Sequence, residues 1–121
     1  MSASDDGPPT VVVAAHPAAP PAVAREVHAG AEEQGVPTAG VVLPDEALAC
    51  ARAAAVRSRL EVGVGIGADG AVAVVHALVG PPVVELPAGT DPGEHRRAGG
   101  DAARIVTGLP LAVAGASVAD P

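Results

Sequence analysis

The segment LEVGVGIGADGAVAVVH, residues 60–76, decides the fold. It contains a literal G-x-G-x-x-G at Gly65, Gly67 and Gly70. In dinucleotide-binding proteins that pattern leads from a strand into a helix whose N-terminus faces the pyrophosphate. Here the glycines run into Ala71-Val72-Ala73-Val74-Val75, an apolar, β-branched stretch that reads as another strand. Asp69-Gly70 between two such runs is a hairpin signal. The spacing therefore predicts strands over 62–67 and 71–76 joined by Ala68-Asp69-Gly70, a context that speaks against the nucleotide-binding reading. Gly63, Gly65 and Gly67 then serve to let neighbouring elements approach closely, while Gly70 makes the turn.

On the N-terminal side, residues 10–15 form a short β-branched run and His16-Pro17 and Pro20-Pro21 break it. Residues 22–34 have a helical pattern closed by Gly35, with Pro37 beyond. A second strand is expected at 40–43, and then a helix opened by Pro44-Asp45, with Asp45 as N-cap, reaching Arg57. On the C-terminal side, Pro81-Pro82 leads into a strand at 83–86. Asp91 as N-cap, Pro92 at the first turn and Glu94 three residues on start a last helix, which ends at Gly108 before Pro110. The order β-α-β-α-β-β-β-α predicts an α/β fold: a mixed five-stranded sheet with one antiparallel strand and helices on its faces. Residues 10–110 are expected to form one domain, 1–9 a disordered tail and 111–121 a C-terminal tail.

Composition narrows the function. The 121 residues are 49% hydrophobic yet include no Phe, Trp or Tyr, so the core must come from Val, Leu, Ile and Ala. Such side chains bury little apolar area each, which implies modest stability alone and help from a partner. A net charge of −7 lacks the basic footprint of a nucleic-acid binder, and base-stacking platforms are absent. Cys50 is the sole cysteine, so no internal disulfide forms, which fits a reducing cytosol. The acidic start is unlike a signal peptide, and no apolar run approaches the roughly 18 residues a membrane span needs. A cytoplasmic protein is expected.

Catalytic patterns are sparse. His16, His28, His76 and His95 fall on separate elements, none at metal-ligand spacing with another or with Cys50. Only Ser58 and Ser117 lie beyond the N-terminal tail, and neither sits in a G-x-S-x-G elbow. The acidic pair Glu32-Glu33 closes the first helix, where the dipole disfavours negative charge. It is either a solvated face or a place that meets a cation or a basic partner. Glu26 and Glu33, seven residues apart, share one face of that helix. Arg96, Arg97 and Arg104 punctuate the last helix, and Arg97 and Arg104 share a face that is either solvated or an interaction surface.

Several segments together resemble the small subunits of diol and glycerol dehydratase reactivating factors. They are Gly30-Ala31-Glu32-Glu33-Gln34-Gly35-Val36-Pro37, the stretch from Ala51-Arg52 through Leu60-Glu61-Val62-Gly63-Val64-Gly65-Ile66, and Val74-Val75-His76. His95-Arg96-Arg97-Ala98-Gly99-Gly100-Asp101-Ala102-Ala103-Arg104-Ile105-Val106 and Gly108-Leu109-Pro110-Leu111 complete the set. The likeness is colinear over residues 10–112. It implies a three-layer α/β domain shared with the dehydratase medium subunit, with no catalytic residue and no cofactor bound alone. It also implies two partners: a large ATPase subunit, and an adenosylcobalamin-dependent dehydratase whose own subunit it replaces so that damaged cofactor leaves. By the same resemblance, Glu33 contacts a Mg²⁺ held mainly by the large subunit; the residue pattern described above adds Glu32, Arg97 and Arg104 to Glu33 as interface candidates. Two other readings remain open. One is a medium-type structural subunit of a dehydratase. The other is a small nucleotide-binding domain using the glycine-rich segment.

Overall fold

A computed structural model of the chain describes residues 8–108. Its elements follow in the order β1 (Val11–Ala15), α1 (Pro21–Glu33), β2 (Thr38–Val42), α2 (Ala47–Arg57), β3 (Val62–Ile66), β4 (Val72–His76), β5 (Val84–Leu86) and α3 (Pro92–Thr107). The tails expected at 1–9 and 111–121 lie outside the described residues, apart from Pro8 and Pro9. The strands make one sheet in the order β2-β1-β3-β4-β5. β1 pairs parallel with β2 and β3, whereas β4 runs antiparallel to both β3 and β5. The expected mixed five-stranded α/β architecture is therefore present. No helix among the described residues is long and apolar enough to cross a membrane.

The two faces of the sheet are built from side chains of different size. Val11 and Val13 of β1, Val62, Val64 and Ile66 of β3, and Val72 and Val74 of β4 point to one side, where α1 and α3 cover them. The alternate positions are Val12 and Ala14, Gly63 and Gly65, and Ala73 and Val75; these meet α2. A methyl group added at Gly63 would overlap the Ala51 carbonyl and the Ala55 amide nitrogen. One at Gly65 would overlap the Ala47 carbonyl and the Ala51 nitrogen. The alanine-rich helix α2 thus lies with its backbone directly on β3, which is how a chain without aromatic residues closes its core. The G-x-G-x-x-G stretch serves this contact and the turn: Gly70 has φ 88°, and β4, a strand, follows.

Local chemistry explains the element ends. Helix α1 stops in a Schellman motif, with Gly35 at φ 80° donating to Glu32 O at 2.9 Å and Val36 N donating to Ala31 O at 3.2 Å. Helix α3 opens as expected, with the Asp91 carboxylate accepting from Glu94 N at 3.0 Å, and closes on Gly108 at φ 77°. The N-cap of α2 differs from expectation: it is Glu46, not Asp45. Glu46 folds back so that its two oxygens accept from Leu48 N and Ala49 N, both at 3.0 Å. Asp45 is outside the helix, its carbonyl accepting from the Cys50 thiol at 3.3 Å. Strand β2 also begins earlier than the sequence indicates, at Thr38 instead of Gly40, because pairing with β1 starts at Val11 opposite Thr38.

Candidate functional site

Helices α1 and α3 cross through glycine. A methyl group at Gly30 would land on the Arg96 carbonyl, and one at Gly99 on the Val27 carbonyl. Contact between the two backbones fixes how the helices sit along each other, and so fixes where Arg96 projects. Its side chain runs along the face of α1 that carries Glu26 and Glu33. Arg96 Nε donates to Glu26 Oε1 at 2.8 Å, and NH1 donates to Glu33 Oε2 at 2.9 Å. The pairs differ in depth: the Glu26 side chain is 25% exposed and that of Glu33 54%. The Arg96 guanidinium is held above its ordinary pKa, first by the hydrogen bond and charge of Glu26 and then by Glu33.

Beside this cluster lies an open groove of about 280 Å³ between α1 and α3, walled by Glu33, Gln34, Arg96, Arg97 and Arg104. Gly30 and Gly100 also line it. Three of the seven basic residues of an acidic chain thus gather at one place. Of the residues singled out from sequence, the fold brings Glu33, Arg97 and Arg104 together here, and leaves Glu32 exposed and outside the groove lining. Arg97 turns to Glu94 on its own helix, NH1 to Oε2 2.6 Å. What sequence reading missed is the bridge itself. The heptad spacing of Glu26 and Glu33 marked the face, but Arg96 is 63 residues from Glu33 and nothing local pairs them. The electrostatic cost of a carboxylate at the C-terminus of α1 is offset, at Glu33, within the chain.

A second crevice of about 350 Å³ opens where β1 and β3 end, lined by His16, Asp45, Glu46, Gly67 and Asp69. Doubly wound sheets place ligands at such points. Here three of the polar side chains are engaged locally. His16 Nδ1 accepts from Ala18 N at 2.9 Å, Asp69 Oδ1 from Ala71 N at 3.0 Å, and Glu46 caps α2. A carboxylate on the N-terminus of α2 also takes the place a phosphate would need. Among the described residues no group of three or more His, Cys, Asp or Glu is arranged to hold a metal ion. The groove is lined by two carboxylates, the buried Asp101 and the exposed Glu33; toward Mg²⁺ the accessible one is Glu33, whose Oε2 accepts from Arg96. That fits one ligand of a cation held mostly by another protein.

A three-layer α/β domain, with its charge gathered at an interhelical groove, is the class that this fold and site define. The chain belongs to the dehydratase medium subunit family, whose model matches residues 8–112. Among solved structures it is similar to a glycerol dehydratase reactivase at 31% identity and a TM-score of 0.82, the match covering 88% of this chain and 98% of that one. It is also similar to the structure of a diol dehydratase-reactivating factor complexed with ADP and Mg²⁺, at 30% identity and a TM-score of 0.78, covering 87% of this chain and 98% of that one. No curated protein sequence matches it.

Proposed function

We propose that the chain is the small subunit of a factor that reactivates an adenosylcobalamin-dependent diol or glycerol dehydratase. In this role it binds a large ATPase subunit and exchanges with the corresponding dehydratase subunit, opening that enzyme so that damaged cofactor leaves. The carrying observation is the match along nearly the full length of two solved reactivating-factor chains. The groove geometry supports the reading: it offers charge on a rigid helical crossing and the exposed Glu33 carboxylate for a shared Mg²⁺, with Arg97 and Arg104 lining the same groove and Glu32 on the surface outside it. Nucleotide chemistry then belongs to the large subunit, and this chain is non-catalytic. Release requires that the partner bind it unequally in two nucleotide states. With no aromatic anchors, the contact relies on charge and on exposed aliphatic side chains such as Val42, Val56 and Leu78.

Co-expression with a neighbouring large-subunit gene, followed by size exclusion with and without Mg²⁺, tests this. A stable complex that weakens on removing Mg²⁺ or on Glu33→Lys is expected. Elution of the chain alone overturns the proposal. The family description favours a second reading, a medium-type dehydratase subunit; co-purification with a catalytic dehydratase subunit in preference to an ATPase would establish that one.

A further inference from the structure

We propose that Arg96 is an exchangeable latch on Glu33: it keeps the carboxylate on the chain's own surface until a partner-held divalent cation takes it, and Glu26 keeps the guanidinium paired afterwards. The inference rests on the reading that Glu33 meets a cation across the interface. It adds two residues, Arg96 and Glu26, that set how readily this happens.

The geometry has the parts an exchange needs. Arg96 makes two single-point bonds through different nitrogens, Nε to Glu26 and NH1 to Glu33, so either can break while the other stays. A bidentate fork on one carboxylate would not divide in this way. Glu33 is the outer partner and Glu26 the inner one, so a docking protein reaches Glu33 first. The Arg96 backbone is pinned over Gly30, which confines the adjustment to side-chain rotation. Glu33 meets the guanidinium by one bond, to Oε2, and its side chain is 54% exposed, so an incoming cation can approach the carboxylate from the solvent side. A guanidinium beside that carboxylate also repels a dication, so the latch raises the cation concentration at which Glu33 transfers.

The opposing roles of Arg96 and Glu26 give opposite signs. In the complex with the large subunit, Mg²⁺ is titrated and the half-point of assembly is read by size exclusion with light scattering. Arg96→Gln frees Glu33 and should lower the half-point by roughly two- to fivefold, the scale of one exposed ion pair. Glu26→Gln removes the competing negative charge and leaves Glu33 as the anionic partner of Arg96 in this cluster, which should raise the half-point by a similar factor. Glu33→Gln should abolish the Mg²⁺ dependence. Unchanged half-points for both Arg96→Gln and Glu26→Gln, with Glu33→Gln still effective, would overturn the latch alone. A Glu33→Gln variant that assembles with normal Mg²⁺ dependence would overturn both the latch and the cation reading beneath it. If Arg96→Gln fails to fold, Glu26→Gln decides by itself, since it leaves every backbone contact between α1 and α3 in place.

Discussion

Neighbouring glycines in α3 should respond to the same substitution with opposite signs. Each replacement by alanine within a helix contributes about 0.8–1 kcal/mol through propensity. At Gly100 the new methyl would lie 3.6 Å from Gly30 O and 4.0 Å from Gln34 Cγ, ordinary contact distances, so the gain should survive. Gly100→Ala is expected to stabilise the chain by about 0.5–1 kcal/mol, a rise in Tm of roughly 2–8 °C for a domain of this size. At Gly99 the methyl would fall on the Val27 carbonyl. That atom belongs to the backbone of α1 and cannot rotate aside, so the helices must separate. Overpacking of this kind costs about 1–3 kcal/mol and sometimes more, and a backbone obstacle places it at the upper end. After the propensity gain, Gly99→Ala should lose about 2 kcal/mol, a fall in Tm of roughly 8–16 °C. Far-ultraviolet circular dichroism during thermal and urea unfolding is the suitable assay, because a chain without Trp or Tyr gives no aromatic fluorescence. If Gly99→Ala were as stable as the parent, or Gly100→Ala as damaging as Gly99→Ala, the backbone contact between α1 and α3 would not be what orders them.

Two further outcomes follow from buried polar atoms. Ser58 is 5% exposed; its Oγ donates to Thr10 O at 2.6 Å and accepts from Leu60 N at 3.0 Å, tying the end of α2 to the start of β1. Ser58→Ala leaves two backbone groups without that partner and should cost about 1–3 kcal/mol in urea unfolding, whereas a loss within a few tenths would show that water replaces it. Burial pushes the Cys50 thiol above its ordinary pKa, the neighbouring Asp45 and Glu46 charges adding to this while the Asp45 backbone opposes it. The native chain should therefore resist thiol reagents near neutrality and react only on unfolding. Because the folded pKa lies above the unfolded one, this group's contribution is complete below about pH 8.5 and fades as pH rises beyond it. Rapid labelling of the native chain at neutral pH would contradict both statements.

How much of this could be read from sequence depended on how local each cause was. The hairpin at Asp69-Gly70, the Asp91 cap and the glycine ends of α1 and α3 are set by nearby residues, and the structure places them where expected. Residues 63, 65 and 67 were legible as close-approach glycines because they alternate with Val and Ile in a strand. Gly30 and Gly99 carry an equal constraint, yet within a helix a glycine reveals no partner. The start of α2 was displaced by one position because Asp is the commoner cap, while here the longer Glu46 reaches back and Asp45 gives its carbonyl to a thiol. In the groove, Glu33, Arg97 and Arg104 could be named from helical spacing. The link between Glu33 and Arg96 could not, since it exists only once two helices distant in sequence are set side by side.

The thin α2 layer has a thermal consequence. Unfolding it uncovers mainly methyl groups and peptide backbone, and newly hydrated peptide lowers the heat-capacity change that newly hydrated hydrocarbon raises. The increment should fall below the usual value of about 12–15 cal/mol/K per residue. A smaller increment flattens the stability curve, so the native state would persist over a wider span of cold than a protein with an aromatic core of the same length.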